Sequence, residues 1–129
     1  MAAEPILIVD DNPANLKLAR VLLAGEGYDV RTAADAAEAL AVLETFHPRL
    51  ILMDLQMPGM DGFELTRHLK SVPAHRNVVI LALTAYAMKG DEEKARTAGC
   101  DGYISKPIDT RSLPAQIAEH LKSRGGSKT

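Results

Sequence analysis

Asp10 and Asp11 follow one apolar run of the chain, Asp54 a second, Thr84 a third, and Lys106 a short fourth. Taken singly, each has an ordinary structural explanation. Asp11 and Asn12 before Pro13 suit the cap of a helix with proline in its first turn. Asp54 suits a turn, because its side chain bonds readily to nearby backbone. Thr84 suits a strand end, and Lys106 a solvated charge before a turn proline. Together they describe chemistry. Three clustered carboxylates repel one another and call for a cation, and hard oxygen donors with room for water suit Mg²⁺ better than zinc, which favours His and Cys. A cation, an ammonium and a hydroxyl around one carboxylate can hold a phosphoryl group, whose charge is spread over three oxygens. Asp54 is then the nucleophile. His47, His68, His75 and His120 lie apart, mostly near expected helix ends, and take no ligand role.

These ends must meet for any of this to occur, and hydropathy patterning supplies the means. Five strand-like stretches, residues 6–9, 28–31, 50–53, 78–83 and 102–105, alternate with five helix-like ones, the pattern of βαβ units in an α/β fold with a parallel sheet. Leu16, Ala19 and Leu23, then Ala36, Leu40 and Leu43, then Leu65 and Leu69, and finally Leu113, Ile117 and Leu121 recur at helical spacing. The fourth helix, near 90–98, is rich in charge and has only Ala95 and Ala98 to bury, so it is expected to be the loosest. Strands one, three and four are continuous apolar runs that belong inside a sheet covered on both faces. The alternating second strand and the short fifth belong at the edges. Right-handed crossovers then favour the order 2-1-3-4-5, doubly wound by helices, whose ligand site lies at the carboxyl ends of the strands where the winding reverses. Pro114 requires the last helix to start close by, near 110–112.

The bulk properties fit one folded domain over residues 1–122, followed by a polar tail, 123–129, expected to be disordered. A hydrophobic share of 47% and a charged share of 25% are those of a globular protein. A net charge of −2 without a basic block gives no footprint for direct nucleic-acid binding. No signal peptide or membrane-length apolar run appears, so the cytoplasm is expected. The single cysteine, Cys100, beside Gly99, reads as part of a helix end.

The stretches "ILIVDDN" (6–12), "LILMDLQMPGMDG" (50–62), "ALTAYA" (82–87) and "YISKPI" (103–108) closely resemble those of response-regulator receiver domains, over about residues 5–122. The stretch 87–108 looks most like single-domain cell-division regulators and the receivers of hybrid kinases. The resemblance implies a flavodoxin-like receiver fold in which Asp54 accepts a phosphoryl group from a histidine kinase or histidine phosphotransfer protein. It implies a signalling module that catalyses only its own phosphorylation and slow dephosphorylation. Asp11 and Asp54, with the backbone carbonyl of Gln56, would bind Mg²⁺ (or Mn²⁺) directly, and Asp10 would act largely through water. Lys106 would pair with a phosphoryl oxygen, and the Lys106–Pro107 peptide bond would be cis. Thr84 would move to the phosphate and let Tyr103 turn inward, remodelling a face that binds a downstream protein. Gln56 and Tyr86 stand where the family varies and tunes phosphate loss. The resemblance implies a monomer or weak dimer.

Three other readings of the sequence exist. One is a receiver excised from a hybrid histidine kinase. Another is a haloacid-dehalogenase-like phosphatase, since "ILIVDDN" also places Asp after a strand; the chain is short for it, and the Gly90–Asp91 pair opens a charged helix instead of following a buried strand. The third is a flavodoxin-like flavin binder, for which the acidic rim is wrong and only five aromatic residues (three Tyr and two Phe) are present.

Overall fold

A computed structural model describes residues 4–55, 62–84, 89–106 and 108–126. Strands β1 (Pro5–Val9), β2 (Asp29–Ala33), β3 (Leu50–Asp54), β4 (Val79–Thr84) and β5 (Gly102–Ser105) alternate with helices α1 (Pro13–Gly25), α2 (Ala36–Leu43), α3 (Gly62–Ser71), α4 (Lys89–Ala98) and α5 (Leu113–Gly126). The strands form one parallel sheet ordered β2-β1-β3-β4-β5, as the crossover argument requires.

Alternation along the three inner strands divides the core. Ile6, Ile8, Leu50, Leu52, Val79, Leu81 and Leu83 face α1 and α5, meeting Ala19, Leu23, Leu113, Ile117 and Leu121. Leu7, Val9, Ile51, Met53 and Ile80 face the other way, onto Ala36, Ala39 and Leu43 of α2 and Leu65 and Leu69 of α3. Every residue of β3 and β4 is buried, which is why these strands read as unbroken apolar runs. A much smaller cluster, Leu55, Ala82 and Ala95, lies under α4.

Local signals set the helix ends. Asn12 caps α1, its side chain accepting from Ala14 N and Asn15 N, with Pro13 opening the helix. Asp35 accepts Glu38 N–H while Glu38 accepts Ala34 N–H, a reciprocal cap for α2.

β1, β3 and β4 shift by one residue at one or both ends from the expected 6–9, 50–53 and 78–83, and the larger differences lie in β2 and α5. Strand β2 starts at Asp29, not at residue 28, because Tyr28 N–H turns back to Leu23 O to close α1; it runs on to Ala33, whose carbonyl accepts Asp10 N–H. Helix α5 starts at Leu113, just past the expected start, which puts Pro114 in its first turn. It also continues to Gly126, so helical backbone occupies 123–126 of the expected tail. No helix among the described residues is long and apolar enough to cross a membrane.

Candidate phosphoacceptor site

Strand β1 delivers Asp10, β3 Asp54, β4 Thr84 and β5 Lys106 to one rim of the sheet. Parallel register accounts for this: Asp54 lies beside Leu83, Thr84 beside Ser105, and Lys106 N–H donates to Thr84 O at 2.7 Å. Asp10, Asp54 and Thr84 are buried, whereas Asp11 is exposed.

The buried carboxylates share one cation of the chain itself. Lys106 Nζ lies 3.2 Å from Asp10 Oδ2 and 3.2 Å from Asp54 Oδ1. The other oxygen of Asp10 accepts Asn12 N–H at 2.9 Å. Burial alone would lower the value of the Lys106 ammonium; the charges of Asp54 and then Asp10, with their hydrogen bonds, outweigh it and raise the value above its ordinary 10.5. Lys106 is therefore a permanent positive charge against Asp54 at neutral pH.

Among the described residues, one ammonium does not balance the rim. A carboxylate oxygen from each of Asp10, Asp11 and Asp54 lies within 4.8 Å of the others, so three negative charges converge on one positive one. Carboxylates so close, two of them buried, are the donor set of a hard divalent cation, and the exposed Asp11 leaves its approach open to water. The residues present fit Mg²⁺.

Gly62 holds a part that the residue types did not announce. A Cβ there would stand 2.2 Å from Asp54 O and 2.8 Å from Leu55 Cα, so only glycine lets the first turn of α3 pack onto the backbone that carries Asp54. The sole sequence signal is its place at the end of the stretch 50–62. Tyr103, half-buried, packs against the small cluster under α4. Cys100 lies half-buried near Thr66, and burial pushes its thiol up to about 11, which agrees with a structural part at a helix end. Gln56, Tyr86 and Pro107, with the proposed cis bond, lie outside the described residues.

Comparison with known proteins agrees with this geometry. The response regulator receiver domain family matches residues 6–118. A polar-differentiation response regulator DivK of Brucella ovis is 43% identical over 116 residues, covering 90% of this chain and 94% of that protein. Among solved structures, a CheY-like receiver domain protein of Methanospirillum hungatei superposes with a TM-score of 0.89 at 34% identity, covering 97% of this chain and 98% of the other. The receiver domain of the sensor histidine kinase PA1611 of Pseudomonas aeruginosa, 35% identical with a TM-score of 0.82 over 97% of this chain and 99% of the other, holds a magnesium ion in its active-site cleft. Nothing in these likenesses supports a haloacid-dehalogenase-like phosphatase.

Proposed function

From the chain's membership of the response regulator receiver domain family, we propose that Asp54 is its phosphoacceptor and that Asp10, Asp11, Thr84 and Lys106 serve that one carboxylate. Receiver domains are phosphoacceptor modules of two-component signalling, and the donors are histidine kinases or histidine phosphotransfer proteins. A carboxylate oxygen of Asp54 attacks phosphorus, the bond from phosphorus to the donor's imidazole nitrogen breaks, and that nitrogen keeps the electron pair, so that the ring leaves as neutral imidazole with one proton on its other nitrogen. Lys106 approaches from the β5 side and pairs with a phosphoryl oxygen as negative charge spreads over the group in transfer. Asp11 and Asp54, with the carbonyl of Gln56, would hold Mg²⁺, and Asp10 acts through water. When bound, the ion supplies positive charge to the phosphoryl oxygens. The same groups let the chain phosphorylate itself from a small donor.

The observation that supports this reading best is the contact of Lys106 with both buried aspartates, 3.2 Å from each, at the carboxyl end of central β3. After transfer, the Thr84 hydroxyl donates to a phosphoryl oxygen and Tyr103 turns toward the vacated space, changing the α4–β5–α5 face that a downstream protein binds. We read the module as cytoplasmic, with a protein contact as its output. With Mg²⁺ and acetyl phosphate, the intact mass should rise by one phosphoryl group, and Asp54→Asn should abolish that rise. Uptake by the variant at the wild-type level overturns the assignment.

A further inference from the structure

Helix α4 joins the two ends of the sheet. Its first residue, Lys89, follows the rim that carries Asp54 and Thr84; its last leads through Gly99 to the opposite end of the sheet, since β5 runs parallel to β4. Along residues 93–98 only Ala95 and Ala98 are buried, so little apolar area fixes this part of the helix.

Polar contacts fasten the far end. Lys70 on α3 has a side chain only 18% exposed, and its ammonium reaches Val78 O at 2.8 Å, Arg76 O at 3.3 Å and Asp101 Oδ2 at 3.1 Å. Asp101 Oδ2 accepts Ile80 N–H at 2.9 Å while Asp101 N–H donates to Ile80 O at 2.7 Å, so main chain and side chain both tie Asp101 to β4. Between helix and Asp101, Gly99 takes φ +112°, and the amides of Gly99 and Cys100 return to Arg96 O and Ala95 O. A Cβ on Gly99 would stand 2.9 Å from Lys70 Cγ, so the helix end and the lysine stem are packed as one unit.

We infer that the Lys70–Asp101 pair is a pivot: it pins the C-terminal end of α4 to β4, so that phosphorylation at the rim tilts the helix about Gly99 instead of displacing it bodily. The inference rests on the proposed phosphoacceptor reading for what moves the helix, and on this geometry for where it turns. Ten residues of helix span about 15 Å. A tilt of roughly 10° then shifts the rim end by about 2–3 Å and leaves the pinned end in place.

Amide exchange on the full chain tests the pivot without phosphorylation. In Lys70→Met, which keeps a long apolar stem against Gly99, the amides of Gly99, Cys100 and Asp101 should exchange about tenfold faster than in wild type, the loss expected for one hydrogen bond to a charged group. Amides of β1 should not change. Should that variant loosen globally, Asp101→Asn keeps an acceptor for Ile80 N–H and should give the same local effect, smaller. Equal rates at 99–101 in wild type and both variants overturn the pivot. With acetyl phosphate and Mg²⁺, uptake being followed by mass, wild-type NMR shift changes should fall from residue 93 to residue 101. In Lys70→Met uptake should match wild type while the changes extend through 99–101. Even changes along 93–101 in wild type overturn the pivot. Absence of uptake contradicts the phosphoacceptor reading instead, and the exchange comparison still decides the pivot.

Discussion

At the carboxyl end of the sheet Lys106 lies 3.2 Å from Asp10 and from Asp54; at the amino end Lys70 lies 3.1 Å from Asp101. The residue types are the same and the surroundings differ. Lys70 meets the Asp101 carboxylate and two carbonyls, and Asp101 accepts Ile80 N–H with the same oxygen, so in these contacts one ammonium faces one carboxylate and both are hydrogen-bonded in place. Lys106 faces carboxylates from two strands with a third beside them, which among the described residues leaves negative charge over. A matched pair stabilises a joint. An unmatched cluster attracts a cation and an electrophile that a cation can steady, and it is this excess of charge, more than the presence of Asp or Lys, that separates the reactive end from the structural one.

Metal affinity gives the sharpest test of that excess. Asp10 already spends one oxygen on Asn12 N–H and the other on Lys106, whereas Asp11 is exposed. Acids that act on a metal through an intermediary cost about 10–100-fold in affinity when removed. Asp10→Ala should fall in that range and Asp11→Ala beyond it, as measured by Mg²⁺ calorimetry. The Lys70→Met variant, at the matched end, should bind Mg²⁺ as wild type does. Wild-type affinity in Asp11→Ala would contradict the charge argument.

Two glycines extend the comparison to the backbone. Gly62 packs onto Asp54 O and Gly99 onto the Lys70 stem, so an added methyl strains each end in turn. Overpacking typically costs roughly 1–3 kcal/mol, and Gly99→Ala adds the strain of a side chain at φ +112°. Both variants should lower the denaturant midpoint. Only Gly62→Ala should also slow phosphoryl uptake, because the methyl displaces the backbone that carries the acceptor. Equal slowing in both would mean that the two ends are not separate.

The two ends also differed in how far the sequence disclosed them. The rim was legible because each of its residues follows an apolar run, and a parallel sheet brings the ends of such runs together; Asp10, Asp54, Thr84 and Lys106 needed only the strand order. The Lys70–Asp101 pair was not, since its members are thirty-one residues apart and neither stands at a patterned position. Gly62 was visible as a residue but not as a contact, because close packing onto Asp54 O is a tertiary fact. The late start of β2 was hidden for a similar reason: Tyr28 has strand-like neighbours, but its amide is needed to close α1. The scarcity of apolar burial on α4 was legible, because along residues 93–98 only Ala95 and Ala98 are buried.

A change at Thr84 separates receiving the phosphoryl group from reporting it. Thr84 is buried at the end of β4, and its carbonyl, not its hydroxyl, holds Lys106 N–H at 2.7 Å. Truncation to alanine therefore leaves the nucleophile, the acidic cluster and the position of Lys106 intact, and Thr84→Ala should still gain one phosphoryl group by mass. On the proposed reading it loses a hydroxyl donor to the charged phosphoryl group, worth roughly 1.5–3 kcal/mol. Since about 1.4 kcal/mol is a tenfold change in an equilibrium, the ratio of resting to switched arrangement among phosphorylated molecules should rise at least tenfold. At matched uptake, the NMR shifts of Tyr103 and of residues 93–98 should change much less than in wild type, and Thr84→Ser, which restores the hydroxyl, should recover most of the change. That recovery distinguishes a lost hydrogen bond from a lost methyl contact, because serine returns the first without the second. If Thr84→Ala reproduces the wild-type shifts in full, the hydroxyl does not couple the rim to α4, and the rim differs from the far end in its chemistry alone.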